Sequence, residues 1–144
     1  MPTPYSSIYS VFSEKINDYQ LANLSLSNPT QAESIMHGYL MNAAAKFIQC
    51  NTDLTSYDDT LKQFNNTLTS LEILILAYFM IIEWLDPQIN NILLLKQILS
   101  DVDYKIYSQA QHLHELRALK KDAQEEVNYL INLYTYNNVI SILN

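Results

Sequence analysis

Ten consecutive apolar residues, Ile73 to Ile82 in the stretch LEILILAYFMIIEWLDPQ, constrain this chain more than any other feature. A run of that kind is either part of a membrane span or the centre of a core. Its length decides: crossing hydrocarbon takes about 20 apolar residues, and ten is half of that. Its start is also marked. Thr69-Ser70-Leu71-Glu72 is a capping box, in which the threonine hydroxyl accepts from the amide three residues on and the glutamate reaches back to the threonine amide. A helix that begins there and is apolar on every side must be wrapped by other elements. The sequence therefore predicts a central core helix over 71–85. Glu83 ends the run and Asp86-Pro87 predicts a break, with a second helix over 87–99 carrying Ile89, Ile92, Leu93 and Leu95 or Lys96.

The wrapping elements read as helices too. One glycine and four prolines in 144 residues leave little punctuation for a strand-rich fold. Thr3-Pro4 starts a short helix with Tyr5, Ile8, Tyr9, Phe12 and Ile16 on one face, and DYQLANLSLSN follows as a connector. Asn28-Pro29 opens a longer helix ending near Asn51, its buried stripe running Ala32, Met36, Leu40, Ala43, Phe47, Cys50. CNTDLTSYDDTLKQFNNTL loses the period and reads as a loop with a short extended piece near 60–64. Residues 101–107 read as an extended connector. Ser108-Gln109-Ala110-Gln111 then caps a helix of about 28 residues to Tyr136. Its seam is Leu113, Leu116, Ala123, Val127, Leu130 and Tyr134, interrupted by Lys120, whose stem packs while its amine reaches water. The expectation is one all-α domain over 1–144: a bundle of four to five helices with a long C-terminal helix, an extended central loop, and extended tails at 1–4 and 137–144.

Composition narrows function by exclusion. A net charge of −7 argues against general binding to nucleic-acid phosphates, although an acidic wall can lie beside DNA without holding it. The basic group Arg117, Lys120 and Lys121 is flanked by Glu115, Asp122, Glu125 and Glu126 and reads as a solvated helix face. Cys50 is the only cysteine, so no disulfide forms within the chain. MPTPYSSIYS has neither a basic start nor an apolar run, which predicts synthesis in the cytoplasm, with no membrane partner.

Catalytic and metal chemistry find no constellation. Glu33 and His37 lie one helical turn apart, and His112, His114 and Glu115 cluster, but a di-iron bundle needs Glu-x-x-His on two helices. Cys50 falls on an apolar stripe, where a thiol is structural. A single glycine rules out a phosphate-binding loop, and Glu72 and Glu83 make no acid–base pair. No enzyme, metal or cofactor is expected. Asp58 and Asp59 in the loop read as solvated acids. Tyr129, Tyr134 and Tyr136 crowd the last helix and Tyr104 and Tyr107 its start; core filling and a subunit interface both account for them.

The order of blocks carries more. YLMNAAAKFIQC, DDTLKQFNNTLTSLEI, EWLDPQINN and YSQAQHLHELRALKKDAQEEVNYLINLYTYNN, spanning about residues 33–138, together resemble the head–tail connector proteins of tailed bacteriophages, the helical neck adaptors below the portal. The resemblance implies a structural virion protein made in the host cytoplasm. Copies would form a ring of about twelve, closed by side-to-side contacts. That ring joins the portal to a stopper or tail-completion protein and extends a channel that DNA traverses without specific binding. Portal contact is expected from His112, Arg117 and Lys121 and from the tail residues Val139, Ile140, Ile142 and Leu143. The loop residues Asp58, Asp59, Lys62 and Phe64 are expected to face a neighbour or the channel. The rival expectations are a tail-completion or terminator ring protein and a small helical regulator dimerising through its last helix.

Overall fold

The computed structural model of the chain describes residues 1–16, 29–98 and 103–143. Among them the chain runs β1 (Thr3–Pro4), α1 (Tyr5–Lys15), α2 (Pro29–Lys46), β2 (Tyr57–Asp58), β3 (Gln63–Phe64), α3 (Ser70–Ile98) and α4 (Asp103–Leu143). The architecture is the expected helical bundle with a long C-terminal helix. The connector 18–28, with the Asn28 cap, lies outside the described residues. So do the side chains of Ile92, Leu93, Leu95, Lys96, Tyr104, Tyr107 and Ser108.

α3 is the hub, packed against each of the other three helices. Ile75, Leu76, Ala77, Met80 and Leu85 are all fully buried, as a helix apolar on every side requires. Its start is the predicted capping box: the Thr69 amide donates to Glu72 Oε1 (2.9 Å) and the Glu72 amide to Thr69 Oγ1 (3.2 Å). The expected faces of the other helices close over it. Tyr5, Ile8, Tyr9, Phe12 and Ile16 are buried from α1 and the residue after it, and Ala32, Leu40, Ala43 and Phe47 from α2 and the residue after it. From α4 come Leu113, Leu116, Ala123, Val127, Leu130 and Tyr134. Lys120 stands in that seam as expected, its stem half-buried and its amine 2.7 Å from Asp86.

Several boundaries differ from expectation. Asp86-Pro87 does not break α3, which continues through it to Ile98. Proline removes an amide and crowds the preceding turn. Here Leu85 and Ile89 hold both sides in the core, and the side-chain amide of Gln88 donates to the Trp84 carbonyl (3.2 Å). Residues 103–107 are helical rather than extended, so α4 opens before Ser108, and it runs seven residues past Tyr136 to Leu143 instead of ending in a tail. α2 stops at Lys46, short of Asn51.

The N-terminal tail is structural as well. Thr3–Pro4 pairs antiparallel with β3, which also pairs with β2, giving the order β1-β3-β2. Thr3 Oγ1 donates to the Asn66 carbonyl (3.0 Å) and accepts from the Leu68 amide (2.9 Å), tying the chain start to the approach to α3. The tip of the β2–β3 hairpin turns through Lys62, whose φ of 54° is left-handed, and its carbonyl accepts from the Tyr5 amide at 2.9 Å.

Candidate functional site

α4 is about 60 Å long at 1.5 Å per residue, and only part of it is covered. Tyr134 is the last of its side chains in the core. From Val127 to Asn144 the sequence carries no Asp, Glu, Lys, Arg or His, an 18-residue uncharged stretch in a chain of net charge −7. Within it Tyr129, Leu133, Tyr136, Val139, Ile140, Ile142 and Leu143 are exposed. So many apolar side chains exposed along one segment make it the candidate interaction surface.

The expected portal residues divide on this frame. Arg117 and Lys121 are exposed and one helical turn apart, so they share a face. His112 is exposed too, but five residues from Arg117 and therefore about 140° around the helix. Lys121 lies about 28 Å along the axis from Ile140. Val139, Leu143 and Ile140 span about 100° of the helix, and Ile142 lies about 60° beyond Val139 on the other side. The basic pair and the apolar end are thus separate features of one rod.

What fixes the rod is a buried polar cluster that the sequence reading missed. Glu72, 1% exposed, does more than cap. Its carboxylate accepts from the Tyr134 hydroxyl (2.7 Å), the Thr52 hydroxyl (3.0 Å) and the Cys50 thiol (3.2 Å), besides the Thr69 amide. The Tyr134 oxygen in turn accepts from the Asn51 amide (2.8 Å), and its ring stands edge-on to Phe47 at 5.5 Å. One carboxylate thereby joins α4, the start of α3 and the segment leaving α2. Burial works to raise the Glu72 pKa, but the Thr69 amide and the Tyr134, Cys50 and Thr52 donors outweigh it, and the group is held below the ordinary glutamate value. Burial, with the adjacent carboxylate, pushes the Cys50 thiol up to about 12 and Tyr134 up to about 12. Both remain protonated donors; Cys50, expected on the buried stripe of α2, lies beyond the end of that helix and is half-buried.

A second polar group closes the hairpin onto α1 and α2. Asp59 accepts from the Tyr5 hydroxyl (2.8 Å) and meets His37 Nε2 at 3.0 Å, while Lys62 pairs with Glu33 at 2.7 Å. These residues, with Tyr9, line a cleft of about 300 Å³. Asp58 is turned inward on its own loop, accepting from the Thr60 and Leu61 amides. Phe64 contradicts expectation: it is fully buried, edge-on to Tyr5 at 5.3 Å, and meets no neighbour or channel. β3 is the middle strand, so its inward residue is core. Asp59 and Lys62 are exposed but already engaged within the fold.

The tyrosine question resolves unevenly. Tyr134 is core with a bonded hydroxyl, whereas Tyr129 and Tyr136 are 62% and 63% exposed. Among the described residues no group of three or more His, Cys, Asp or Glu side chains is placed to hold a metal ion, and no helix is long and apolar enough to cross a membrane. No protein-family model, no curated protein and no solved structure matches the chain.

Proposed function

We propose that this chain is a structural protein of a tailed-phage neck, an adaptor whose copies stand in a ring beneath the portal and extend the DNA channel toward a stopper or tail-completion protein. The observation that carries the proposal is the uncharged, apolar end of α4, set on a rigid rod and left uncovered by its own domain. Such an end suits docking on a larger assembly, where its exposed side chains become buried. The resemblance in block order supports the same reading, and the net charge of −7 suits a surface that DNA slides past.

Removing residues 139–143 tests it. Nothing in that segment is buried, so the shortened chain keeps its helix content and thermal midpoint but no longer co-sediments with portal rings of the same virus. Undiminished binding to the portal overturns the assignment of contact to this end. Loss of folding would instead place the segment in the core. A dimeric helical regulator is the second reading, favoured by the regular spacing of the exposed side chains on α4; it predicts a tight dimer that ignores portal rings.

A further inference from the structure

α4 carries two apolar stripes. The first, ending at Leu130 and Tyr134, faces the core. The second begins at Tyr129 and continues through Leu133, Tyr136, Ile140 and Leu143, at steps of four, three, four and three. That alternation is the heptad spacing of a helix-pairing seam. At 100° per residue the five fall within an arc of about 80°, centred more than a quarter-turn from the core-facing stripe. All five are exposed, from 37% for Leu133 and Ile140 to 78% for Leu143.

We propose that this second stripe is a self-pairing seam: two copies of the chain associate through it, antiparallel, about Tyr136. Charge selects the occupant. Two chains of net charge −7 repel over most of their surface, but the stripe lies wholly inside the uncharged stretch 127–144. The positions flanking it include Asn132, Asn137 and Val139, so the seam lacks the edge charges by which paired helices select a different partner or exclude their own kind. The stripe is close to symmetric about its middle residue, with the others at −7, −3, +4 and +7 from Tyr136. Antiparallel pairing sets Tyr129 against Leu143, Leu133 against Ile140, and Tyr136 against its twin. It opposes the two helix dipoles and sends the acidic bodies to opposite ends, which a parallel pair does not. Covering the five side chains removes on the order of 500 Å² from each copy, about 1,000 Å² in all, the lower edge for a specific interface. The pair is therefore weak and reversible.

This inference needs no portal and goes beyond the neck reading, so its test leaves the portal out. Sedimentation velocity of the full chain from about 1 to 200 µM should show monomer giving way to dimer. Tyr136→Lys, at an exposed site, sets like charges against each other at the centre and should weaken association at least about tenfold with helix content unchanged. Asn128→Lys adds the same charge on the same helix outside the stripe and should leave association as it is. A chain monomeric throughout the range, or equal weakening by the two lysines, overturns the seam. Oxidising an equimolar mixture of Tyr129→Cys and Leu143→Cys chains fixes direction: the mixed cross-link dominates for an antiparallel pair, and dominance of the Tyr129→Cys self-link overturns that arrangement.

Discussion

Tyr134→Phe isolates the bond that holds the long helix to the domain. The substitution deletes one oxygen and leaves the ring against Phe47, so it opens no cavity. Two hydrogen bonds go with the oxygen. The 2.7 Å bond to the Glu72 carboxylate is charge-assisted and contributes about 1.5–3 kcal/mol. The 2.8 Å bond from the Asn51 amide is neutral and contributes about 1 kcal/mol. Together they predict a loss of about 3 kcal/mol, a large part of the roughly 5–15 kcal/mol that stabilises a domain. In urea, with a slope of about 1–3 kcal/mol per molar, the unfolding midpoint falls by about 1–3 M. The slope itself should hold, since the same surface is exposed on unfolding. Glu72→Gln removes the shared acceptor's charge, so the double variant should be more stable than the two losses added together imply. A midpoint for Tyr134→Phe within about 0.3 M of the parent, or strict additivity with Glu72→Gln, would refute the view that this cluster fastens α4.

Acid should loosen the same fastening. The Glu72 pKa is depressed on folding, so its contribution is complete above the unfolded value near 4.5 and is lost as pH falls through the lower folded value. The urea midpoint of the parent should therefore drop more steeply below that pH than the midpoint of Glu72→Gln, and parallel curves would contradict it. Pro87→Ala restores an amide at an exposed position inside α3 and should raise the thermal midpoint by several degrees, on the order of 1–3 kcal/mol; calorimetry showing a fall would contradict the reading that the proline is tolerated only because Leu85 and Ile89 are buried beside it. Phe64→Ala empties a fully buried ring site and should cost about 3–5 kcal/mol by urea melt, whereas an exposed channel-facing phenylalanine would change stability by under about 0.5 kcal/mol.

Much of this fold was legible because its helices bury regular stripes. The five apolar positions on the α1 face, from Tyr5 to Ile16, and the six of the α4 seam went into the core as their spacing required, and the Thr69–Glu72 cap formed as written. What failed was local punctuation set against tertiary packing. Asp86-Pro87 signals a break on its own, but burial of Leu85 and Ile89 on either side carries the helix through. Thr3 became a strand residue because β3, sixty residues away, offered it a ladder, and no local pattern announces so distant a partner. The Glu72 cluster was hidden for a similar reason. Its donors come from Cys50, Thr52 and Tyr134, and a capping role already accounted for the glutamate. The seam on α4 was visible in part: the tyrosines stood out, but their link to Leu133, Ile140 and Leu143 follows only once the helix is known to reach Leu143.

Native mass determination of the chain mixed with tailed-phage portal rings bears on the proposed neck role most directly. A neck adaptor loads the ring to about one copy per portal subunit, and any pairs formed through the α4 seam dissociate as it does so. A chain that stays free of the portal at every ratio, as monomer or as dimer, would contradict the account.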